Sequence, residues 1–286
     1  MNELHVILKG AQLNLSQGLS IDLDEAGVDV RLLMQQVLNV NHAWLISHAN
    51  DVLSAEQMNA FNAIFKRRLA GEPMAYILGQ REFYGLNLKT TSATLIPRPD
   101  TEVLVESALA KIPDDLSVNV LDLGTGSGAI ALAIASQRPW SNITAVDFRE
   151  GALQVAQENA AALNLNHVTF KQSSWFSELT HLQYDLIVSN PPYIAKDDMH
   201  LQQGDLRFEP ITALASGADG LDDIRVIVAN APQHLNQNGW LILEHGYDQA
   251  DAASRLLADR GFTQVSHALD LAGIQRVTMG CWSLGS

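Results

Sequence analysis

Hydrophobic positions in the first 75 residues recur at helical spacing. The clearest helix begins at Ser54, because Ser54 and Gln57 have the spacing of a capping box, and Gly71-Glu72-Pro73 ends it. Its apolar face carries Met58, Phe61, Ile64, Phe65 and Leu69. A second helix is predicted over about residues 24–40. The pattern predicts a small helical domain over residues 1–78, which serves either for substrate docking or for packing against the rest of the chain.

The pattern becomes extended over residues 84–95, where Gly85 and Asn87 favour a hairpin. We therefore assign residues 79–95 to a β-hairpin or linker. Beyond it, strands are predicted over 118–123, 143–146, 168–171, 186–188 and 240–244, and helices over 129–137, 151–163, 224–231 and 250–260. Strands separated by helices predict an α/β fold with a doubly wound, mostly parallel sheet over residues 96–286.

Charge limits the partners of the chain. Its 286 residues include 18 Lys and Arg against 32 Asp and Glu, and the formal net charge is -14. Such a surface repels phosphate backbones, so we expect no direct binding of nucleic acid. The tight basic cluster Lys66-Arg67-Arg68 lies near a helix end, where it complements the helix dipole.

The cysteine count and the apolar runs bear on the compartment. The single cysteine, Cys281, excludes an internal disulfide and a multi-cysteine metal site, so we expect no metal. No secretory signal is visible at the start, and no apolar run approaches the roughly 18 residues of a membrane span. We therefore expect a cytoplasmic protein without a membrane partner.

The run Asn190-Pro191-Pro192-Tyr193 directly follows an apolar strand, where α/β enzymes form their active sites. Prolines donate no hydrogen bond, so the carbonyls of Asn190 and Pro191 have few local amide partners. The Asn190 side-chain oxygen and the Pro191 carbonyl can each accept one hydrogen of a planar amino group, while the Tyr193 ring lies against its flat face. The simpler alternative is that the prolines only end the strand.

A glycine-rich turn, Gly124-Thr125-Gly126-Ser127-Gly128, stands between the first strand of the sheet and its first helix. Glycines allow a sharp turn and the close approach of a nucleotide-like ligand. The next strand ends at Asp147, twenty-three residues after Gly124, where a carboxylate can accept hydrogen bonds from both ribose hydroxyls. This spacing fits NAD as well as S-adenosylmethionine. We favour S-adenosylmethionine, because Asn-Pro-Pro-Tyr suits methyl transfer to nitrogen and has no evident role in hydride transfer.

Further motifs accompany these two, namely Gly71-Glu72-Pro73, Arg81-Glu82-Phe83-Tyr84, residues 94–102, Arg207-Phe208-Glu209-Pro210 and Leu243-Glu244-His245-Gly246. Together they resemble the PrmC (HemK) family of protein-(glutamine-N5) methyltransferases, strongly from about residue 70 onward. The resemblance implies a helical N-terminal bundle, a β-hairpin linker and a Rossmann-like class I methyltransferase domain. It also implies a monomeric enzyme that methylates the Gly-Gly-Gln glutamine of class I peptide chain release factors and so supports translation termination.

The resemblance also implies roles for individual residues. S-adenosylmethionine contacts the turn residues Gly124, Thr125, Gly126, Ser127 and Gly128, together with Asp147, Trp175 and Asn190, and leaves as S-adenosylhomocysteine. The substrate glutamine is held by Asn190, Pro191, Pro192 and Tyr193, and the catalytic role falls to Asn190, Pro191 and Tyr193. Trp175 can alternatively fill the core. At two positions, Ser174 and Gln275, this chain departs from the family, where an acidic residue is common.

Other activities stay open at this point. An adenine-N6 methyltransferase of nucleic acid also holds a flat amino group, although the charge opposes it. A methyltransferase of a ribosomal-protein glutamine is nearer, but Ile96-Pro97-Arg98-Pro99 and the following Asp100-Thr101-Glu102 favour the release-factor branch. A noncatalytic docking protein and a NAD-dependent dehydrogenase are further alternatives.

Overall fold

A computed structural model describes residues 3–283. The chain forms two compact units, the first ending at Gly79 and the second beginning at Gln80. Within the described residues, no helix combines the length and the apolar character needed to cross a membrane.

The first unit is helical. Its helices are α1 (Leu4–Leu19), α2 (Leu23–Leu38), α3 (His42–Ser47), α4 (Ala55–Leu69) and α5 (Met74–Leu78). The predicted capping box is confirmed at the start of α4, because the Ser54 hydroxyl accepts a hydrogen bond from the Gln57 N–H and the Ser54 N–H donates to Gln57 Oε1. Part of the basic cluster at the end of α4 is ion-paired: Arg68 Nε lies 2.7 Å from Asp29, and Arg67 lies 2.6 Å from Glu72.

The second unit contains a hairpin and an α/β sheet. Its strands are β1 (Gln80–Phe83), β2 (Leu86–Lys89), β3 (Asn119–Leu123), β4 (Asn142–Asp147), β5 (Thr169–Gln172), β6 (Tyr184–Ser189), β7 (Leu235–Glu244), β8 (Thr263–Leu269) and β9 (Gln275–Trp282). Its α-helices are α6 (Glu102–Leu109), α7 (Ala129–Gln137), α8 (Glu150–Ala162), α9 (Asp222–Asn230) and α10 (Ala250–Arg260). β1 and β2 form an antiparallel pair that starts at Gln80, four residues before the extended pattern of the sequence.

Seven strands form the main sheet in the order β5-β4-β3-β6-β7-β9-β8. The first five are parallel, which confirms the doubly wound prediction, and β9 and β8 add an antiparallel edge. Successive strand residues face opposite sides, so Val120 packs with α6 and α7 while Leu121 packs with α9 and α10. Helices therefore cover both faces of the sheet. The antiparallel β8–β9 pair was not predicted, because strand and helix alternate only up to α10.

The strand register brings the carboxyl ends of four strands, β4, β3, β6 and β7, to one edge of the sheet. Leu123 pairs with Val146 on one side and with Ser189 on the other, and Ser189 pairs with Leu243. Because these strands are parallel, the residues that follow them emerge at the same edge of the sheet. The glycine turn, Asp147, Asn190 and Glu244 all lie at this edge.

Candidate active site

A cavity of about 340 Å³ opens at the carboxyl ends of β3, β4 and β6. Its walls come from seven parts of the second unit. They are Leu95; Gly124 and Gly126; Asp147, Phe148 and Arg149; Ser173, Ser174 and Trp175; Asn190 and Pro192; Thr212, Ala213 and Ala215; and Asp223. Small-molecule sites have volumes of roughly 300–1,000 Å³, so the cavity is large enough for a ligand.

The glycine turn forms the floor of the cavity. The N–H groups of Gly124 and Thr125 both donate to the Val146 carbonyl at 2.9 Å, which holds the turn against the end of β4. Gly124, Gly126 and Gly128 have φ angles of 72°, 57° and 85°, a region that favours glycine. Of the five predicted turn residues, Gly124 and Gly126 line the cavity.

The other three turn residues hold the turn in shape. The Thr125 hydroxyl donates to Asp122 Oδ2 at 2.6 Å, and the Ser127 carbonyl accepts from Asn159 Nδ2 at 2.9 Å. A Cβ atom on Gly128 would lie 3.0 Å from Leu132 Cδ1, so a larger residue would crowd α7. Burial raises the pKa of Asp122 to about 7, and its bond from Thr125 opposes the rise.

Asp147 ends β4 as predicted and lines the cavity. Its Oδ2 accepts from the Gly126 N–H at 3.0 Å, and its Oδ1 accepts from the Arg149 N–H at 2.9 Å. A carboxylate offers about four acceptor positions, so two remain for a ligand. The carboxylate therefore fixes the turn and still presents acceptors to the cavity.

Trp175 lines the cavity from the loop after β5. Its backbone lies in the left-handed region at φ 51°, which is unusual for a bulky residue and marks a functional or constrained position. Its ring approaches Gly124 so closely that a Cβ there would lie 3.4 Å from Trp175 Cζ3. Ser174 also faces the cavity, and Phe148, which is 50% exposed, adds a second aromatic side chain.

The Asn190-Pro191-Pro192-Tyr193 segment divides between the cavity and the protein interior. Asn190 and Pro192 line the cavity, whereas Pro191 and Tyr193 are not among its lining residues in the described chain. Asn190 Nδ2 donates to Thr101 Oγ1 at 3.2 Å. The Tyr193 hydroxyl donates to Glu244 Oε1 at 3.3 Å, and burial raises the pKa of this tyrosine. Two side chains of the motif are thus held by Thr101 and Glu244.

The backbone of Tyr193 is held from the opposite side. Gln249 Nε2 donates to the Tyr193 carbonyl at 3.0 Å and to the Asp219 carbonyl at 3.2 Å. Gly220 passes so close that a Cβ on it would lie 2.1 Å from the Tyr193 carbonyl oxygen. Only glycine fits at this contact.

Gly220→Ala is therefore expected to destabilise the protein. The matched control is Gly273→Ala, because Gly273 has the same φ of 78° but no atom within 4 Å of its Cβ position. Both variants carry the left-handed backbone cost, so the difference between them reports the contact with Tyr193. We expect Gly220→Ala to lose about 1–3 kcal/mol more free energy of unfolding in urea titrations, and equal losses would contradict the assignment.

A second set of contacts connects the loop that contains Ile96 and Arg98 with the loop that contains Glu209, beside the cavity. Glu209 has a buried side chain, and its Oε2 accepts from the Ile96 N–H at 3.1 Å while its Oε1 pairs with Arg98 Nη2. Burial raises the pKa of Glu209, and the Arg98 guanidinium opposes the rise. Leu95, directly before Ile96, and Thr212, three residues after Glu209, both line the cavity. Arg98 thus holds the loop in place by neutralising a buried carboxylate.

Arg98→Met is expected to destabilise the protein by leaving that carboxylate unpaired. Loss of one partner of a buried pair costs up to about 3–5 kcal/mol, and we expect about 2 kcal/mol here because Arg98 is 30% exposed. In a Glu209→Gln background the same change should cost less, because no buried charge remains. Urea unfolding of the four proteins measures the coupling, and an equal cost in both backgrounds would contradict it.

Several residues at this edge were not predicted from the sequence. Thr101, Glu209, Glu244 and Gln249 were missed as partners of the site, although the first three lie within the motifs that carried the family resemblance. Phe148 was also missed, and its position directly after Asp147 was the available signal. The roles of Arg98 and Arg276 are now visible: Arg276 lies 2.9 Å from Asp270 and 3.4 Å from Asp100.

The sequence of the chain matches known protein families. Residues 9–79 match the family described as PrmC N-terminal domain, and residues 99–206 match the family described as Methyltransferase small domain. A release factor glutamine methyltransferase of Xylella fastidiosa is 49% identical over 88% of this chain and 92% of its own. The chain belongs to the release factor glutamine methyltransferase family.

Further comparisons extend this assignment. A release factor glutamine methyltransferase of Pseudomonas aeruginosa is 47% identical over 99% of this chain and 100% of its own length. A methyltransferase structure from Pyrococcus furiosus has a TM-score of 0.54, with 16% identity over 77% of this chain and 98% of that one. The last likeness shows the fold, which is that of a Rossmann-like methyltransferase. The chain is thus a methyltransferase of this family, as the resemblance implied.

Proposed function

We propose that this enzyme transfers a methyl group from S-adenosylmethionine to the side-chain amide nitrogen, N5, of the glutamine in the Gly-Gly-Gln motif of class I release factors. The observation that carries the proposal is one cavity that joins Asn190 to the glycine turn and Asp147. The names of the relatives support the same reaction and the same kind of substrate. We also propose that the enzyme acts in the cytoplasm, where translation ends.

The residues around the cavity fit S-adenosylmethionine. Gly124 and Gly126 leave the floor free of side chains, and the Asp147 carboxylate has two acceptor positions left for ribose hydroxyls. Trp175 and Phe148 provide apolar walls for the adenine ring. Thr125, Ser127 and Gly128 serve the cofactor by shaping the turn. When bound, S-adenosylmethionine supplies an electrophilic methyl group on its sulfonium sulfur.

Asn190 then orients the acceptor nitrogen. Because its Nδ2 is engaged by Thr101, its Oδ1 is left to accept a hydrogen from the substrate NH2 group. Pro192 bounds the pocket. We propose that the Pro191 carbonyl and the Tyr193 ring, which do not line the described cavity, respectively accept the second hydrogen and lie against the flat amide when the substrate glutamine binds. An amide nitrogen is a poor nucleophile, so positioning and the carbonyl dipoles near the developing positive charge provide most of the rate gain. No strong base is needed when the proton leaves after transfer.

The rival substrates have weaker support. The net charge of -14 opposes a nucleic-acid substrate, and the relatives named above are release factor enzymes and not ribosomal-protein enzymes. The helical unit that ends at Gly79 is proposed to dock the release factor, with one enzyme chain acting on one substrate. These points leave a class I release factor as the substrate to test first.

The test is transfer of a labelled methyl group from S-adenosylmethionine to a purified class I release factor. A release factor whose Gly-Gly-Gln glutamine is replaced by alanine serves as the matched control. We expect label on the first and none on the second. Equal labelling of both would show that another residue of the release factor is methylated. Labelling of a ribosomal protein or of nucleic acid alone would overturn the proposed substrate.

A further inference from the structure

Asp223 is a carboxylate in the wall of the cavity that the proposed reaction leaves without a role. It stands in the first turn of α9, is half-buried, and lines the same cavity as Asp147, Trp175 and Asn190. Within the described part of the chain, its carboxylate accepts no hydrogen bond and forms no ion pair. All its acceptor positions are therefore available to a ligand in the cavity.

The backbone of Asp223 is held on the side of the cavity where Trp175 lies. Its N–H donates to the hydroxyl oxygen of the buried Ser216 at 2.8 Å, which fixes the first turn of α9. Leu221 and Ile224, close to Asp223 in the sequence, belong to the buried cluster against which Trp175 packs. Asp223 and Trp175 thus reach the cavity from the same packed layer.

The proposed orientation of the cofactor determines which of its groups reaches Asp223. The ribose lies at Asp147, and the sulfonium methyl group must point to Asn190 for transfer to occur. Adenine is attached to the ribose at the end opposite the sulfur, so the ring extends away from Asn190 and lies between Phe148 and Trp175. Its edge carries an NH2 group, which is a hydrogen-bond donor. The carboxylate on the Trp175 side therefore meets the amino group of the base.

The other polar side chains beside Trp175 are weaker candidates for this contact. The Ser173 hydroxyl donates its proton to the Trp175 carbonyl at 2.8 Å, so it is already engaged by the loop. Ser174 lines the cavity with a neutral hydroxyl. Hydrogen bonds to a carboxylate are roughly twice as strong as those between neutral groups. Asp223 is therefore the preferred acceptor for an amino group on this side of the cavity.

We propose that Asp223 binds the adenine amino group of S-adenosylmethionine and so makes the site specific for a base that carries an amino group at this position. This role rests on the proposed function, because it uses the cofactor orientation given there. The carboxylate accepts one amino hydrogen in a charge-assisted hydrogen bond. A base without the amino group would leave the carboxylate unpaired against the ligand, and such a site discriminates against it.

Calorimetric titration with S-adenosylhomocysteine tests this contact without methyl transfer. Its neutral sulfur removes any attraction between Asp223 and a sulfonium charge. Asp223→Ala should weaken binding by about 10-fold, the lower end for a hydrogen bond to a charged group, because the position is half-buried. The matched control is Asp222→Ala, in the same turn and with the same charge, which pairs with Arg225 at 2.8 Å and does not line the described cavity. It should keep the wild-type affinity.

Two analogues locate the contact on the ligand. The first is S-adenosylhomocysteine with hydrogen in place of the adenine amino group. The wild-type protein should bind it about 10-fold more weakly than S-adenosylhomocysteine, whereas Asp223→Ala should bind both equally, as expected for directly coupled groups. The second is methylthioadenosine, which keeps adenine but lacks the amino-acid part. Asp223→Ala should weaken its binding by the same factor of about 10.

Other outcomes would overturn the contact. When the wild-type protein and Asp223→Ala lose the same factor on removal of the amino group, Asp223 does not touch it. A loss confined to S-adenosylhomocysteine and absent for methylthioadenosine would place Asp223 at the α-amino group instead. Should Asp223→Ala fail to fold, Asp223→Asn decides the matter, because it keeps an acceptor oxygen without the charge and should discriminate between the first pair of ligands by only about 3-fold.

The binding experiments also separate this role from the proposed reaction. A wild-type protein that shows the expected coupling but does not methylate the release factor would overturn the proposed substrate and leave the role of Asp223 in place. A wild-type protein that does not bind S-adenosylhomocysteine would overturn both.

Discussion

Asn190→Ala is expected to lower kcat for release factor methylation by about 100- to 1,000-fold, the size of loss seen when one preorganised polar contact to a reacting group is removed. The alanine lacks the oxygen that accepts a hydrogen of the glutamine amide, so the nitrogen is no longer oriented toward the methyl group. Affinity for S-adenosylmethionine should change far less, because the turn and Asp147 keep their positions. Single-turnover methyl transfer and calorimetric binding of the cofactor measure the two effects separately.

The control for this prediction is Asn166→Ala. Asn166 is exposed in the turn before β5, at the opposite end of the strands, and should leave both quantities unchanged. An unchanged rate for Asn190→Ala would falsify its role in holding the acceptor. An equal loss in rate and in cofactor affinity would instead assign Asn190 to the cofactor alone.

Asp147→Asn is expected to weaken S-adenosylmethionine binding by about 10- to 100-fold. The two N–H groups of Gly126 and Arg149 already point at the carboxylate, so an asparagine NH2 would face one of them donor to donor. The variant also loses an acceptor for the ribose hydroxyls, and a hydrogen bond to a charged group contributes about 1.5–3 kcal/mol. Isothermal titration of the purified protein with S-adenosylmethionine measures the loss directly.

Asp185→Asn is the matched control for Asp147. Asp185 also accepts a backbone N–H, that of Asn119 at 2.9 Å, and a side-chain donor, Asn236 Nδ2 at 2.7 Å. It lies near the start of β6, at the end of the sheet away from the cavity. The control should share any loss of stability but keep the wild-type affinity. Wild-type affinity of Asp147→Asn for S-adenosylmethionine would show that this carboxylate does not bind the cofactor.

Local patterns in the sequence predicted much of the fold. The helices over 129–137 and 250–260 and the parallel strands between them can be predicted from the spacing of apolar residues and from turn residues. Both signals depend only on residues that are close in the sequence. The antiparallel β8–β9 pair was not predicted, because short-range sequence patterns do not determine which strands become neighbours in the sheet. The hairpin strands lie within residues 79–95, which were assigned to a hairpin or linker, but the extended pattern was placed only from residue 84 because Arg81 and Glu82 are exposed and lack an apolar alternation.

The same division holds for the site. The sequence alone indicated Asn190, Asp147 and the glycine turn, because each stands at the end of an apolar run with residues whose chemistry suits a nucleotide and a flat amide. It did not indicate what holds them. Thr101 and Asn190 are 89 positions apart, Tyr193 and Glu244 are 51 apart, and Ile96 and Glu209 are 113 apart.

Local chemistry thus determined which residues meet the ligands, while the order of the strands decided which residues hold them in place. Placing β7 beside β6 brings Glu244 next to Asn190, and only the folded chain contains that contact. The burial that raises the pKa of Glu244 arises in the same way, from layers packed on both faces of the sheet. The reacting groups can be found from short-range patterns, but their orientation depends on neighbours that the tertiary structure supplies.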